Sequence, residues 1–275
     1  MELLKVPSSG GLKISDALHV GANALFVAAL GLLIFVWQLT IVAFLLAIFS
    51  KWRILAVRPR YWGVNIRSNL PDLIFIVSTV GLAISPLATN VASQAAWLTL
   101  LAVWLLVIKP RSNQDMMLIQ SLMVQFVGIT ALFAYASFIA SNQLFAFVTV
   151  TGGWIIGYAA ARHAISSYES EARLEFFALL WGFIVAQLVW LFGHWLQVYT
   201  LAPGFEIPQL ALLILLLSFC AQRAYNLQRQ VIVADDRAMR KVATKQALKS
   251  AYTAAGFALT LIVIILLTTS WTITI

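Results

Sequence analysis

The chain has 275 residues, of which 62% are hydrophobic and only 10% charged, and its mean hydropathy is +0.92. Ordinary soluble domains carry about 25% charged and under about 50% apolar residues, so these values exclude a soluble enzyme or soluble binding module; the length is filled by apolar spans. The net charge of +8 lies in loops beside those spans, which argues against nucleic acid and for topology-setting residues near anionic lipid.

A helix crossing about 30 Å of hydrocarbon needs roughly 20 residues. Spans are predicted near 17–34, 36–50, 73–89, 93–109, 117–138, 143–162, 176–197, 207–224 and 250–271. The first two form one apolar stretch, His19 to Ser50, which would be about 48 Å long as a straight helix. It is either one tilted helix with an overhang or a hairpin turning near Val36–Thr40, giving eight or nine spans.

Every Lys and Arg falls into one of five segments: Lys5 and Lys13; Lys51 to Arg67; Lys109 and Arg111; Arg162 and Arg173; and Arg223 to Lys249. The alternate connections carry none. With nine spans, the positive-inside rule puts every basic segment and the N-terminus in the cytoplasm and the C-terminus outside; eight spans would leave Lys5 and Lys13 outside. Nine is preferred. The expectation is an all-α polytopic bundle in a bacterial inner membrane, one domain over 1–275, with spans one to six in 1–163 and seven to nine in 164–275. Trp37, Trp97, Trp195 and Trp271 fall near the outer ends, as an aromatic belt would.

Two cytoplasmic connections have patterns of their own. Glu169, Glu171 and Glu175 form an acidic cluster on an otherwise basic face, either a solvated turn or a docking point for a basic partner. In 223–249, Arg237, Arg240, Lys241, Lys245 and Lys249 fall within about half of a helical wheel. That segment is either an amphipathic helix on anionic lipid headgroups or the helical extension of spans eight and nine.

Catalytic chemistry is sparse. No Lys sits mid-span, and no His-Glu-x-x-His zinc motif or phosphate-binding glycine loop is present. No catalytic, metal or cofactor residue is therefore nominated, and an enzyme is the less favoured reading. His19 and His163 sit at span boundaries, and Gln120, Gln125, Asn142 and Gln187 are the candidates for a buried polar path. On the outer side, His194 and Glu206, with Tyr199 between them, are expected to approach each other as an acidity-responsive or ligand pair; otherwise Glu206 caps a helix. Gly152, Gly153 and Gly157, with Ala159–Ala161, make a small-residue face suited to close helix packing.

Residues 37–163 carry a spacing pattern: an apolar hairpin, a basic loop at Trp52–Arg53 and Arg58–Arg60, two spans, Lys109–Pro110–Arg111–Ser112 leading to Asp115, then two spans ending at His163. This resembles the N-terminal membrane region of bacterial transglutaminase-like membrane proteins. The resemblance implies membrane spans of that arrangement. It carries over no catalytic residue, because the family's external Cys-His-Asp domain has no counterpart in this sequence. Two functional classes are expected: a non-enzymatic scaffold or accessory subunit of the cell envelope, or a small-molecule or lipid transporter. The expected partners are anionic headgroups at the cytoplasmic face and a second membrane protein.

Overall fold

The computed structural model describes residues 14–85, 88, 90–111, 113–136, 138–139, 141–168, 171–193, 198–202, 205–233 and 237–267. Among these residues the chain is an all-α bundle of nine helices with one small β-hairpin. Seven of the helices are long and apolar enough to cross a membrane.

Helix α1 (Ile14–Gly31) widens into a π turn over Leu32–Val36. The apolar stretch then breaks: Gln38 adopts a left-handed φ of 54°, rare for a residue with a Cβ, and the Leu39 amide donates back to Leu33 O at 2.8 Å. Helix α2 (Thr40–Phe49) follows. It runs back along α3 (Trp62–Ile84), from Phe44 beside Tyr135 to Lys51 beside Asp72. The break falls inside the predicted turn, but α2 has ten residues, about 15 Å, and is much shorter than the crossing predicted for 36–50.

Helix α3 begins well before the predicted 73. Its polar first half is held by local side-chain bonds, Arg67 Nε to Gly63 O at 3.1 Å and Asn69 Nδ2 to Asn65 O at 2.9 Å. Pro71 lies within the helix rather than ahead of it. The span predicted near 73–89 follows the apolar run, and the polar residues ahead of it continue the same helix. Helix α4 (Val91–Val103) opens with a capping box, Ser93 N–H to Asn90 Oδ1 at 2.7 Å, and also ends in a π turn, Trp104–Ile108. Phe75 and Trp104 stack at 4.0 Å in the core between α3 and α4.

Helices α5 (Gln114–Ala136), α6 (Asn142–Ile165) and α7 (Leu174–Phe192) complete the centre. Polar groups tie them together and to α3: Ser121 donates to Ala160 O at 2.6 Å, Trp181 Nε1 to Gln125 Oε1 at 3.4 Å, and Tyr135 to Gly81 O of α3 at 2.6 Å. Where water is absent, such bonds and small residues hold helices together. The small face of α6 is filled by α7: a Cβ on Gly157 would lie 2.8 Å from Val185, and one on Gly153 would lie 2.9 Å from Val189.

Strands β1 (Val198–Ala202) and β2 (Phe205–Pro208) pair antiparallel, Thr200 opposite Glu206. Helices α8 (Gln209–Val233) and α9 (Arg237–Leu267) form a long hairpin. The Tyr199 hydroxyl donates to Ile265 O at 2.8 Å, so α9 runs the length of α8 back to the β-hairpin. The predicted basic helix is thus the first part of the unbroken 31-residue α9, about 46 Å long.

Gly182→Ala probes the α6–α7 contact. Its Cβ would lie 2.9 Å from the Trp154 carbonyl oxygen and 3.1 Å from Tyr158 Cβ, both on rigid elements. The expected loss is about 1–3 kcal/mol, read as a lower thermal midpoint in detergent. Gly21→Ala, which meets nothing within 4 Å, is expected to leave the midpoint unchanged. Equal midpoints for the two variants would contradict this packing.

Candidate functional site

Asp72 follows Pro71 where the apolar part of α3 begins. Its carboxylate accepts from Lys51 Nζ at 3.0 Å and is paired with Lys109 as well. Lys51 follows α2 and Lys109 ends the π turn of α4, so one carboxylate fastens three helices. The Asp72 side chain is 16% exposed. An unpaired charge at such a place is strongly unfavourable, and the two ammoniums satisfy it. Burial pushes the Lys51 ammonium pKa down, with the attraction of Asp72 opposing the shift.

The π turn shapes the rest of the site. Just beyond it, Gln120 Nε2 donates to Ile108 O and to Arg111 O, each at 2.8 Å, and Ile108 O also accepts the Arg111 amide at 3.2 Å. Because carbonyls only accept, the amide orientation is fixed, and Gln120 Oε1 faces His163 Nε2 at 2.8 Å. His163 Nε2 is therefore the donor, and a neutral ring keeps Nδ1 as an acceptor. Asp72, Lys109, Arg111, Gln120, His163 and the Trp104 indole surround a cavity of about 190 Å³.

Beside it, at the same end of the bundle, Glu175 accepts from the Tyr158 hydroxyl at 2.8 Å and from Arg162 Nε at 3.0 Å, with Arg67 at 3.6 Å. Glu171 accepts from the Tyr225 hydroxyl and the Arg173 amide, with Arg229 at 3.4 Å. These bonds, the Tyr225 hydroxyl foremost, hold the Glu171 carboxyl below its ordinary value. Of the predicted acidic cluster, Glu171 and Glu175 tie α7 and its approach to α3, α6 and α8; the Glu171 side chain is 11% exposed and that of Glu175 46%. Glu169 lies outside the described residues.

The outer pair is not brought together by anything described. His194 lies outside the described residues, and Glu206 is half-buried in β2, a strand rather than a helix cap. Tyr199 bonds the end of α9. Of the basic set, Lys245 and Lys249 are exposed on α9, and the side chains of Arg237, Arg240 and Lys241 lie outside the described residues. The four polar candidates do not line one path: Gln120 serves the charged end, Gln125 faces Trp181, and Asn142 and Gln187 are exposed. Sequence reasoning missed Asp72, Lys51 and Lys109 as a group. The available signal was that Asp72 is the one acid between Asp16 and Asp115.

The fold and this site define the class, a polytopic α-helical membrane protein whose described ion pairs gather at one end. No protein-family model, curated protein or solved structure matches the chain.

Asp72→Asn leaves two ammoniums without their carboxylate. The expected cost is about 3–5 kcal/mol, measured as lost thermal stability in lipid nanodiscs; an unchanged midpoint would show that the pairing contributes nothing. Glu171 gives a pH signature. Its folded value is depressed, so its contribution is complete above the ordinary carboxylate value of 4.5 and is lost as pH falls through the lowered value. The stability difference between wild type and Glu171→Gln is expected to be constant at neutral pH and to vanish in acid. A difference that grew on acidification would have the wrong sign.

Proposed function

We propose that the chain is a nine-span inner-membrane protein, N-terminus inside and C-terminus outside, serving as a non-enzymatic scaffold or accessory subunit of the cell envelope. The observation that carries this reading is how the polar groups are used: Asp72, Glu171 and Glu175 are each spent on tying helices to one another. Three cavities among the described residues hold about 170–200 Å³ each, and a surface groove between α2, α3, α5 and α6 holds about 450 Å³ without a charged lining residue. Pockets for small-molecule ligands are commonly about 300–1,000 Å³ with convergent polar groups. A packed, internally tied bundle suits a scaffold better than a carrier.

The topology has its own support. Asn23 Nδ2 reaches Leu105 O at 3.4 Å, which sets the first half of α1 beside the Lys109 end of α4. The start of α1 then lies on the side of the basic loops, the cytoplasmic side by the positive-inside rule. The α9 basic face, with Lys245 and Lys249 exposed, would meet anionic headgroups there.

Two measurements test the reading. Reporter fusions are expected to place the N-terminus in the cytoplasm and the C-terminus outside; a cytoplasmic C-terminus would overturn the parity. Single cysteines replacing Thr79 or Thr130, both fully buried, in a Cys220→Ser background are expected to stay unlabelled by a water-soluble maleimide applied from either face. Labelling from either side would indicate an aqueous path and favour the transporter.

A further inference from the structure

Another cavity, of about 170 Å³, lies between α5, α6, α7 and α8, apart from the one beside Asp72. Tyr168, Phe177, Trp181 and Tyr225 line it. Tyr225 stands edge-on to Tyr168, with centroids 5.1 Å apart, and to Phe177 at 5.7 Å, so the rings brace one another. Leu180 and Ile184 line the cavity from α7 and are exposed on the bundle surface that lipid covers. An occupant therefore arrives from the bilayer and is lipid-soluble.

The polar groups narrow its chemistry. Trp181 Nε1 donates to Gln125, the Tyr225 hydroxyl to Glu171 and the Ser218 hydroxyl to Ile214 O. The Tyr168 hydroxyl is fully buried and out of reach of a ligand. Gln222, which also lines the cavity, differs. The Ser121 hydroxyl gives its hydrogen to Ala160 O, so it can only accept from Gln222 Nε2, at 3.0 Å. That fixes the amide orientation and leaves Gln222 Oε1 an accessible acceptor with no donor among the described residues. The occupant has to donate to it. Aromatic cages also take cations, but the neighbouring Glu171 carboxylate already has Arg229 at 3.4 Å, so the donor is neutral.

Size and depth agree. An engineered apolar cavity of about 150 Å³ takes up one benzene, so this one holds a single six-membered ring. Aromatic rings gain from stacked or edge-on contact with one another beyond simple burial, which favours a ring over an alkyl chain. Gln222 is level with the charged end through Ser121, and Ile184 lies about 10 Å deeper along α7 than Phe177. A hydroxyl at Gln222 and an apolar body toward Ile184 match the polarity of the bilayer.

We infer that this cavity binds the ring of a neutral, lipid-soluble phenol, the class that includes quinols, its hydroxyl donating to Gln222 Oε1 and its ring lying among Phe177, Trp181 and Tyr225. The site uses none of the Asp72 cluster and stands whether or not the protein is a scaffold.

The test uses the full chain in lipid nanodiscs, with saturable binding read by fluorine nuclear magnetic resonance. The probes are 4-fluorophenol and fluorobenzene, the same ring without a hydroxyl, with 1-hexanol as an alkyl competitor. Wild type is expected to bind 4-fluorophenol about tenfold more tightly than fluorobenzene. Ala221→Phe, which fills the cavity from α8, is expected to abolish the saturable signal of both probes. Gln222→Leu also removes the bond to Ser121, so fluorobenzene reports whether the cavity keeps its shape. This variant is expected to bind fluorobenzene like wild type and to lose the tenfold preference for the phenol. Three results would overturn the inference: no saturable binding of 4-fluorophenol by wild type, a phenol preference that persists in Gln222→Leu, or displacement by 1-hexanol as effective as by phenol.

Discussion

The arrangement of the bundle depends on one carboxylate shared by two ammoniums. Asp72 accepts from Lys51 and Lys109, and no other ion pair among the described residues joins the first four helices. Hydrophobic burial cannot select a unique arrangement of helices in lipid, because the tails are as apolar as the side chains. A charge that must be neutralised at the membrane border can. It fixes the depth of α3, sets where the chain after α2 must end, and draws the π turn of α4 into place. Lys51 has to reach that depth, so α2 stops after ten residues and does not descend the full height of its neighbours.

The same logic repeats further round the bundle with different residues. Glu175 joins α3, α6 and α7, and Glu171 joins the approach to α7 with α8. Between them, small residues allow α6 and α7 to touch, and Ser121 links α5 to α6 while accepting from Gln222 of α8 at 3.0 Å. The opposite end is held without charge pairs among the described residues: by the Asn90 capping box, the Tyr135–Gly81 bond and the short β-hairpin. The charged end therefore carries the electrostatic ties, and the far end is closed by neutral hydrogen bonds.

Much of the fold was legible because lipid imposes a strong rule: long apolar runs become helices. The length of the His19–Ser50 stretch allowed either one tilted helix or a hairpin turning near Val36–Thr40, and the break at Gln38 falls within that turn. Three features were not so readable. The apolar run near 73–89 marked only the second part of α3, whose polar first part, Trp62–Asp72, is helical as well. The hairpin at Val198–Pro208 was overlooked, although Val198–Tyr199–Thr200, then Pro203–Gly204, then Phe205–Glu206–Ile207 has strand and turn residues in order. The site at Asp72 was missed because charges were weighed by span, whereas its partners lie at Lys51 and Lys109, on other helices. Only packing reveals which cation meets which carboxylate.

The central claim is that Asp72 holds both ammoniums at once. Solid-state nuclear magnetic resonance on the full chain in lipid tests it directly, by measuring dipolar dephasing of the Asp72 side-chain carboxyl carbon by the lysine Nζ nuclei, with Lys51→Arg and Lys109→Arg used to assign each contribution. The account predicts that each lysine contributes dephasing consistent with a nitrogen–oxygen contact within about 4 Å. Dephasing from one lysine only, or from neither, would contradict it.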